Sequence, residues 1–191
     1  NEMEKINVGM IGFGTVGVGV ARALLDKSAH IERLVGARVV LKVICDNDLR
    51  RKRPIKVNRK ILTSDVNRVI GNPDIDIVVE LVGGIHPAKE FVLRAIKSGQ
   101  HVVTANKALI TEHGKEIFDT AMKAGVEVFY EASVGGGIPI IKALREGLVA
   151  NEIDTVLGIV NGTSNYILSC MAEDELSFSD ALEQARRKGT P

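Results

Sequence analysis

Gly12-Phe13-Gly14-Thr15-Val16-Gly17 is the stretch that decides the fold. It fits the pattern G-x-G-x-x-G. A short apolar run, residues 7–11, precedes it. Behind it Val16, Val20, Ala23 and Leu24 recur at helical spacing to about Asp26. Strand, glycine turn and helix in that order form the phosphate-binding start of a dinucleotide fold. Gly12 permits the tight turn, Gly14 lets the backbone approach a pyrophosphate, and Gly17 lets the helix lie close to the strand. The helix N-terminus adds N–H groups and a positive dipole aimed at the phosphates. The same glycines would also suit a strand–turn–helix that packs without a ligand.

Outward from this turn, strands and helices alternate. Residues 39–45 are a β-branched run and read as a strand. Residues 50–60 are basic, contain Pro54 and read as a loop. Residues 65–70 read as a short helix capped by Thr63 or Ser64. Asn72-Pro73-Asp74 is a turn, and 75–82 is a buried strand that ends in Gly83-Gly84. Pro87 suits the first turn of a helix stopping at Gly99. A strand at 102–104 follows, then a helix over 111–124 with Thr111 as N-cap and Gly125 as its stop, then a strand at 126–131. This alternation predicts an α/β fold: a doubly wound, mostly parallel, Rossmann-like sheet covered on both faces.

After Glu131 the pattern changes. Gly135-Gly136-Gly137-Ile138-Pro139 opens a helix over 139–148, and 153–160 is a long β-branched strand. A helix over 164–172 follows, and Ser177 with Asp180 starts a last one. The predicted organisation is a dinucleotide-binding domain over 1–131 and the beginning of a second, α+β substrate domain over 132–191.

Composition narrows the function. Hydrophobic residues make up 45% of the chain and aromatics 4%, so the core must be aliphatic. A net charge of +1 gives no general attraction to nucleic acid or anionic lipid. No apolar run approaches the ~18 residues of a membrane span. The polar first residues, leading straight into a strand, give the expectation of no signal peptide. These features predict a cytoplasmic protein with a small-molecule substrate and no nucleic-acid or membrane partner. Cys45 and Cys170 lie far apart and have no metal or redox spacing, so they read as reduced, buried thiols.

In open parallel sheets, ligands sit beyond the carboxyl ends of the strands. Four polar or glycine-rich loops follow predicted strands: Val82-Gly83-Gly84, Asn106-Lys107, the glycine loop 135–139, and Asn161-Gly162-Thr163. Asp46, at the end of the second strand, reads as the partner of the adenosine ribose hydroxyls. The following Arg50-Arg51-Lys52-Arg53 would hold an NADP 2′-phosphate or form a solvated loop. The choice between NAD and NADP stays open. His101 and His113 read as structural.

The motifs GFGTVG (12–17), ELVGG (80–84), TANKALI (104–110), EASVGGGIPII (131–141) and GIVNGTSNYIL (158–168) occur in the order and spacing of homoserine dehydrogenases. The chain resembles that family over essentially its whole length. The resemblance implies NAD(P)-dependent interconversion of L-homoserine and L-aspartate 4-semialdehyde, on the route to threonine, methionine and isoleucine, by a homodimer when full length. It places Phe13, Thr15 and Val16 at the cofactor and Val82 and Gly83 near the nicotinamide. Lys107 falls where nicotinamide and substrate meet. An ammonium there would stabilise negative charge on the reacting oxygen. Without the motif, Lys107 would read as a surface residue.

By the same resemblance, Glu131, Val134, Gly136 and Ile138 belong to a loop that holds a monovalent cation, usually sodium. The alternative is a loop whose glycines merely permit tight turns. Gly162 and Thr163 match substrate-binding positions, or Thr163 caps the next helix. Two departures stand out. Asn47 replaces an arginine that contacts the NADP phosphate in many relatives. The chain also ends before the segment in which the family carries an acidic residue for the homoserine amino group, an aspartate and a proton-shuttling lysine. The expectation is cofactor binding with little or no turnover by these 191 residues. Two rival readings are a semialdehyde dehydrogenase acting through a thioester and a non-enzymatic dinucleotide-binding or redox-sensing module.

Overall fold

The structure, a computed structural model, describes residues 3–159 and 161–188. The first compact unit extends to Gly147 and is built on a sheet of six strands. β1 (Lys5–Ile11) lies near its middle, between β2 (Arg38–Cys45) and β4 (Ile77–Glu80). β3 (Leu62–Thr63) extends one side; β5 (His101–Thr104) and β6 (Val128–Phe129) extend the other. All five pairings are parallel, so the sheet is parallel throughout.

Alternation along each strand sorts the aliphatic residues onto two faces. Ile11, Val43, Cys45, Val78 and Val102 face the core layer under α3 (Ala88–Lys97) and α4 (Lys107–Ala124). Val8, Met10, Leu41, Ile44 and Val79 face the layer under α1 (Thr15–Asp26). Leu41 and Ile44 share a face although three positions apart, which a regular strand forbids. A bulge explains this: Val8 pairs with Leu41 but Gly9 pairs with Val43, so Lys42 is an extra residue. The expelled Lys42 ammonium pairs with Asp74 at 3.0 Å.

Several boundaries differ from the sequence reading, each for a local reason. Residues 27–36 contain a helix, α2 (Ser28–Val35), closed by Gly36 in the left-handed region at φ 74°. It buries none of its residues, so the sequence pattern gives it little weight. The stretch expected as a helix at 65–70 is one 3₁₀ turn, Val66–Arg68, capped by the Asp65 carboxylate. Thr63 instead accepts the Asp65 N–H at 3.1 Å. α4 begins four residues before the expected Thr111: the Asn106 side chain accepts the Leu109 N–H at 3.1 Å and is the true cap. The expected helix over 139–148 is a short turn, α5 (Ile140–Lys142), running into a π-helical segment, Ala143–Gly147.

The second unit starts at Leu148 and contains α6 (Gly162–Glu173) and α7 (Phe178–Arg187). Ile167, Cys170, Ala181 and Ala185 bury themselves between the two helices. The predicted strand over 153–160 is not formed: residues 152–159 have no regular structure, and Val160 lies outside the described residues. A strand needs a hydrogen-bonding neighbour. Among the described residues this run has none, and Leu157 stands 91% exposed.

Candidate dinucleotide site

The strand order reverses beside β1. The chain moves outward through β2 and β3, then returns to β4 on the other side. Such a switch point leaves a crevice at the carboxyl ends of the two diverging strands. The glycine turn occupies it. Gly12 N–H donates to Cys45 O at 2.8 Å, and Leu81 N–H donates to Ile11 O at 2.8 Å. Gly12 has φ +101°, and a Cβ there would sit 2.6 Å from the Leu81 carbonyl oxygen. No other residue fits. A Cβ on Gly17 would sit 2.3 Å from Gly12 O and 3.6 Å from Met10 Cε. Gly17 therefore lets the helix rest on the turn's own carbonyl, a closer contact than the strand packing expected of it.

Gly14 differs from both. A Cβ there would meet no atom within 4 Å, so its missing side chain leaves space beside the turn. Gly14 is also the N-cap of α1 and brings no side-chain oxygen to its first N–H groups. Thr15 and Val16 are exposed there, and the first turn carries no acidic residue. An open, positively polarised helix start beside a cleared space suits a pyrophosphate.

Beyond the end of β2, Asp46 and Arg53 form a clasp. Asp46 Oδ2 accepts the Phe13 N–H at 2.5 Å, and Oδ1 accepts the Asp48 N–H at 2.8 Å. Arg53 pairs with Asp46 at 3.0 Å, donates to Phe13 O at 2.6 Å and to Asp48 O at 2.8 Å, and lies 4.6 Å over the Phe13 ring. The Arg53 side chain is 7% exposed and that of Asp46 16%. Arg53 is thus neither a solvated loop residue nor a free phosphate ligand. It ties the loop after β2 to the glycine turn, while Arg50, Arg51 and Lys52 remain exposed. The Phe13 ring, 1% exposed, belongs to the core. Its side chain has no surface to offer a cofactor, and its backbone N–H and C=O serve Asp46 and Arg53.

On the other side of the crevice, Glu80 ends β4 with 0% exposure. Its carboxylate accepts the Val82 N–H at 2.7 Å and the Thr104 hydroxyl at 2.6 Å. Thr104 Oγ1 accepts the Asn106 N–H at 3.0 Å, and the Asn106 amide donates to Gly84 O. Val82 and Gly83 are exposed beside this ring. Lys107, the first residue of α4, is also exposed. The glycine turn, the 82–84 loop and Lys107 therefore lie at the same end of the sheet.

The loop after β6 is fixed by its own residues. Ser133 Oγ donates to Thr104 O at 3.0 Å. The Glu131 carboxylate accepts the N–H groups of Ile141 and Lys142 at 2.9 and 2.8 Å. Gly135 and Gly136 take φ of +70° and +61°. Glu131 O and Ile138 O each accept one amide, from Val134 and Ile140. In the second unit, Asn161 caps α6 by accepting the Ser164 N–H at 2.9 Å, so the cap falls two residues before Thr163. Gly162 is exposed and Thr163 half-buried.

Residues 12–131 match the family description "Homoserine dehydrogenase, NAD binding domain" and residues 139–190 match "Homoserine dehydrogenase". The chain belongs to the homoserine dehydrogenase family. It is 47% identical over 187 residues to the homoserine dehydrogenase of Neisseria gonorrhoeae, covering 98% of this chain and 43% of that protein. The crystal structure of a homoserine dehydrogenase from Thiobacillus denitrificans superimposes with a TM-score of 0.88 at 45% identity, over 98% of this chain and 43% of that one. A hyperthermophilic archaeal homoserine dehydrogenase solved in complex with NADPH gives a TM-score of 0.79 at 26% identity, over 97% of this chain and 62% of that one. The chain thus spans less than half the length of the curated homoserine dehydrogenases it matches.

Sequence reasoning located the glycine turn, Asp46, the 82–84 loop and Lys107 at one end of the sheet. It missed Arg53 as a buried clasp, because a run of four basic residues reads as a charged surface. It also gave no role to Glu80 or Thr104, and it read Asn106 as part of a polar loop and not as a helix cap. A carboxylate closing an apolar strand and two small polar residues before the lysine were the available signal.

Proposed function

We propose that this chain forms the NAD(P)-binding half of an enzyme that interconverts L-homoserine and L-aspartate 4-semialdehyde. The observation that carries the reading is the cleared space at Gly14 against an uncapped helix start, inside the family's own pattern. The N–H groups of Thr15 and Val16 would hold the pyrophosphate. Asp46 would face the adenosine ribose, with Arg53 holding its carboxylate in place. Val82, Gly83 and Lys107 would line the nicotinamide end. A bound nicotinamide supplies or accepts the hydride. The Lys107 ammonium would orient the substrate oxygen and stabilise negative charge on it. By the family resemblance, Gly162 and Thr163 would be substrate-binding residues.

The buried thiols give no support to the thioester rival. Burial, with Asp46 and then Asp65 adding, pushes the Cys45 thiol up to about 11, so it stays protonated at neutral pH. Cys170 is buried, and its thiol donates to Gln184 Oε1 at 3.3 Å.

The resemblance also supplies the remaining parts of the reading. The carbonyls of the 131–138 loop are the donor type a monovalent cation takes, and activity that rises with added Na⁺ would support a site there. The enzyme would act as a homodimer in amino-acid biosynthesis. Titration of the chain with NADH and NADPH, followed by fluorescence, tests cofactor binding and its preference. Homoserine oxidation by a form extended to the length of its relatives tests the reaction. Absence of binding to both nucleotides would overturn the whole reading. Binding without turnover by the extended form would leave a dinucleotide-binding module.

A further inference from the structure

Glu80 is a fully enclosed carboxylate with no cationic partner among the described residues. Its partners are one backbone N–H and one hydroxyl. Burying an acid this way is a poor route to stability, because desolvation opposes it. What it provides is geometry: two strong acceptors aimed in two fixed directions. One direction leads to Val82, in the loop of the nicotinamide end. The other leads through Thr104 to Asn106, which caps α4 immediately before Lys107. Asn106 returns to the first loop through its bond to Gly84 O. The ring closes on itself, so the two loops cannot shift independently.

We propose that Glu80 is a positioning residue that sets the 82–84 loop and Lys107 in register around the nicotinamide. This rests on the dinucleotide reading above. The chemistry of the ring makes the acid specific. A carboxylate only accepts, so Thr104 gives its proton to Glu80 while its oxygen accepts from Asn106. The Val82 N–H also needs an acceptor. A glutamine that keeps the Val82 arm turns an N–H toward Thr104 Oγ1, which reverses that bond and takes the acceptor from the Thr104 proton.

The test compares Glu80→Gln with the unaltered chain for two ligands. ADP-ribose reaches the glycine turn and Asp46 but lacks the nicotinamide; NADH reaches both ends. The expected result is ADP-ribose affinity within about twofold, NADH affinity lower by roughly tenfold, and a circular dichroism spectrum that is unchanged. Thr104→Val, which removes only the arm toward Lys107, should show the same split in smaller measure. Equal losses for both ligands, or no loss for either, would overturn the proposal. So would unfolding of both variants, which would make the ring a purely structural device. If the unaltered chain binds neither ligand, the dinucleotide reading itself falls. If it binds both and the variants do not discriminate, only the role of Glu80 falls.

Discussion

Exposure, more than distance, separates the ion pairs of this chain. Lys115 and Asp119 approach to 2.6 Å, closer than Arg53 and Asp46 at 3.0 Å, yet the Lys115 side chain is 88% exposed. Exposed pairs are screened by water and lose side-chain entropy when they form. Arg53 is enclosed, and its removal leaves Asp46 without its cation and Phe13 O without its donor. Arg53→Ala should cost about 3 kcal/mol, the lower end for a broken buried pair, because Asp46 keeps two N–H donors. Urea unfolding would measure it, with Lys115→Ala near wild type as the control. Cys45 gives a pH signature. Its thiol moves from an ordinary 9.0 to about 11, chiefly through burial. As pH rises from 9 to 11, the unfolded chain loses this proton while the folded chain keeps it, so stability falls. The urea midpoint should drop over that interval, and Cys45→Ala should drop less. Equal slopes for the two proteins would exclude Cys45 as the cause.

At the scale of elements, the motif over residues 12–17 contains three glycines with three different physical duties. Gly12 has a left-handed φ and no room for a Cβ, whereas Gly14 has φ −78° and open space. Gly12→Ala combines backbone strain with a steric clash and should cost about 3 kcal/mol or more. Gly14→Ala should leave the melting temperature unchanged and lower NADH affinity severalfold, because the methyl group enters the space beside the helix start. Thermal melts and nucleotide titrations on the same samples would separate the two effects. A Gly14→Ala protein that binds normally would show that the space has no ligand to serve. The same scale exposes where pattern reading is weak. β3 has two residues and no periodicity to detect, and α2 buries nothing. The start of α4 was hidden because Asn106 and Lys107 read as a functional loop, although asparagine is among the best N-caps.

At the scale of the whole chain, the first unit has a buried cluster on each face of its sheet and the second has one of its own. Between Asn151 and α6 the described residues form no helix or strand, and Leu157 is 91% exposed. Brief chymotrypsin treatment should therefore cut first after Leu157, as mass spectrometry would report, and the larger product should retain NADH binding. A first cut within the sheet, or loss of binding on cleavage, would contradict this division. Residue order alone determined the parallel α/β sheet, the glycine turn and the loops at strand ends, because periodicity and turn chemistry act over a few neighbouring residues. Only the folded chain decided that Lys42 is expelled by a bulge, that Arg53 is locked over Phe13, that Glu80 holds two loops, and that residues 152–159 stay unpaired. Each of these depends on partners distant in sequence. Whether a charged or β-branched residue finds a partner is settled by the neighbours that folding brings to it.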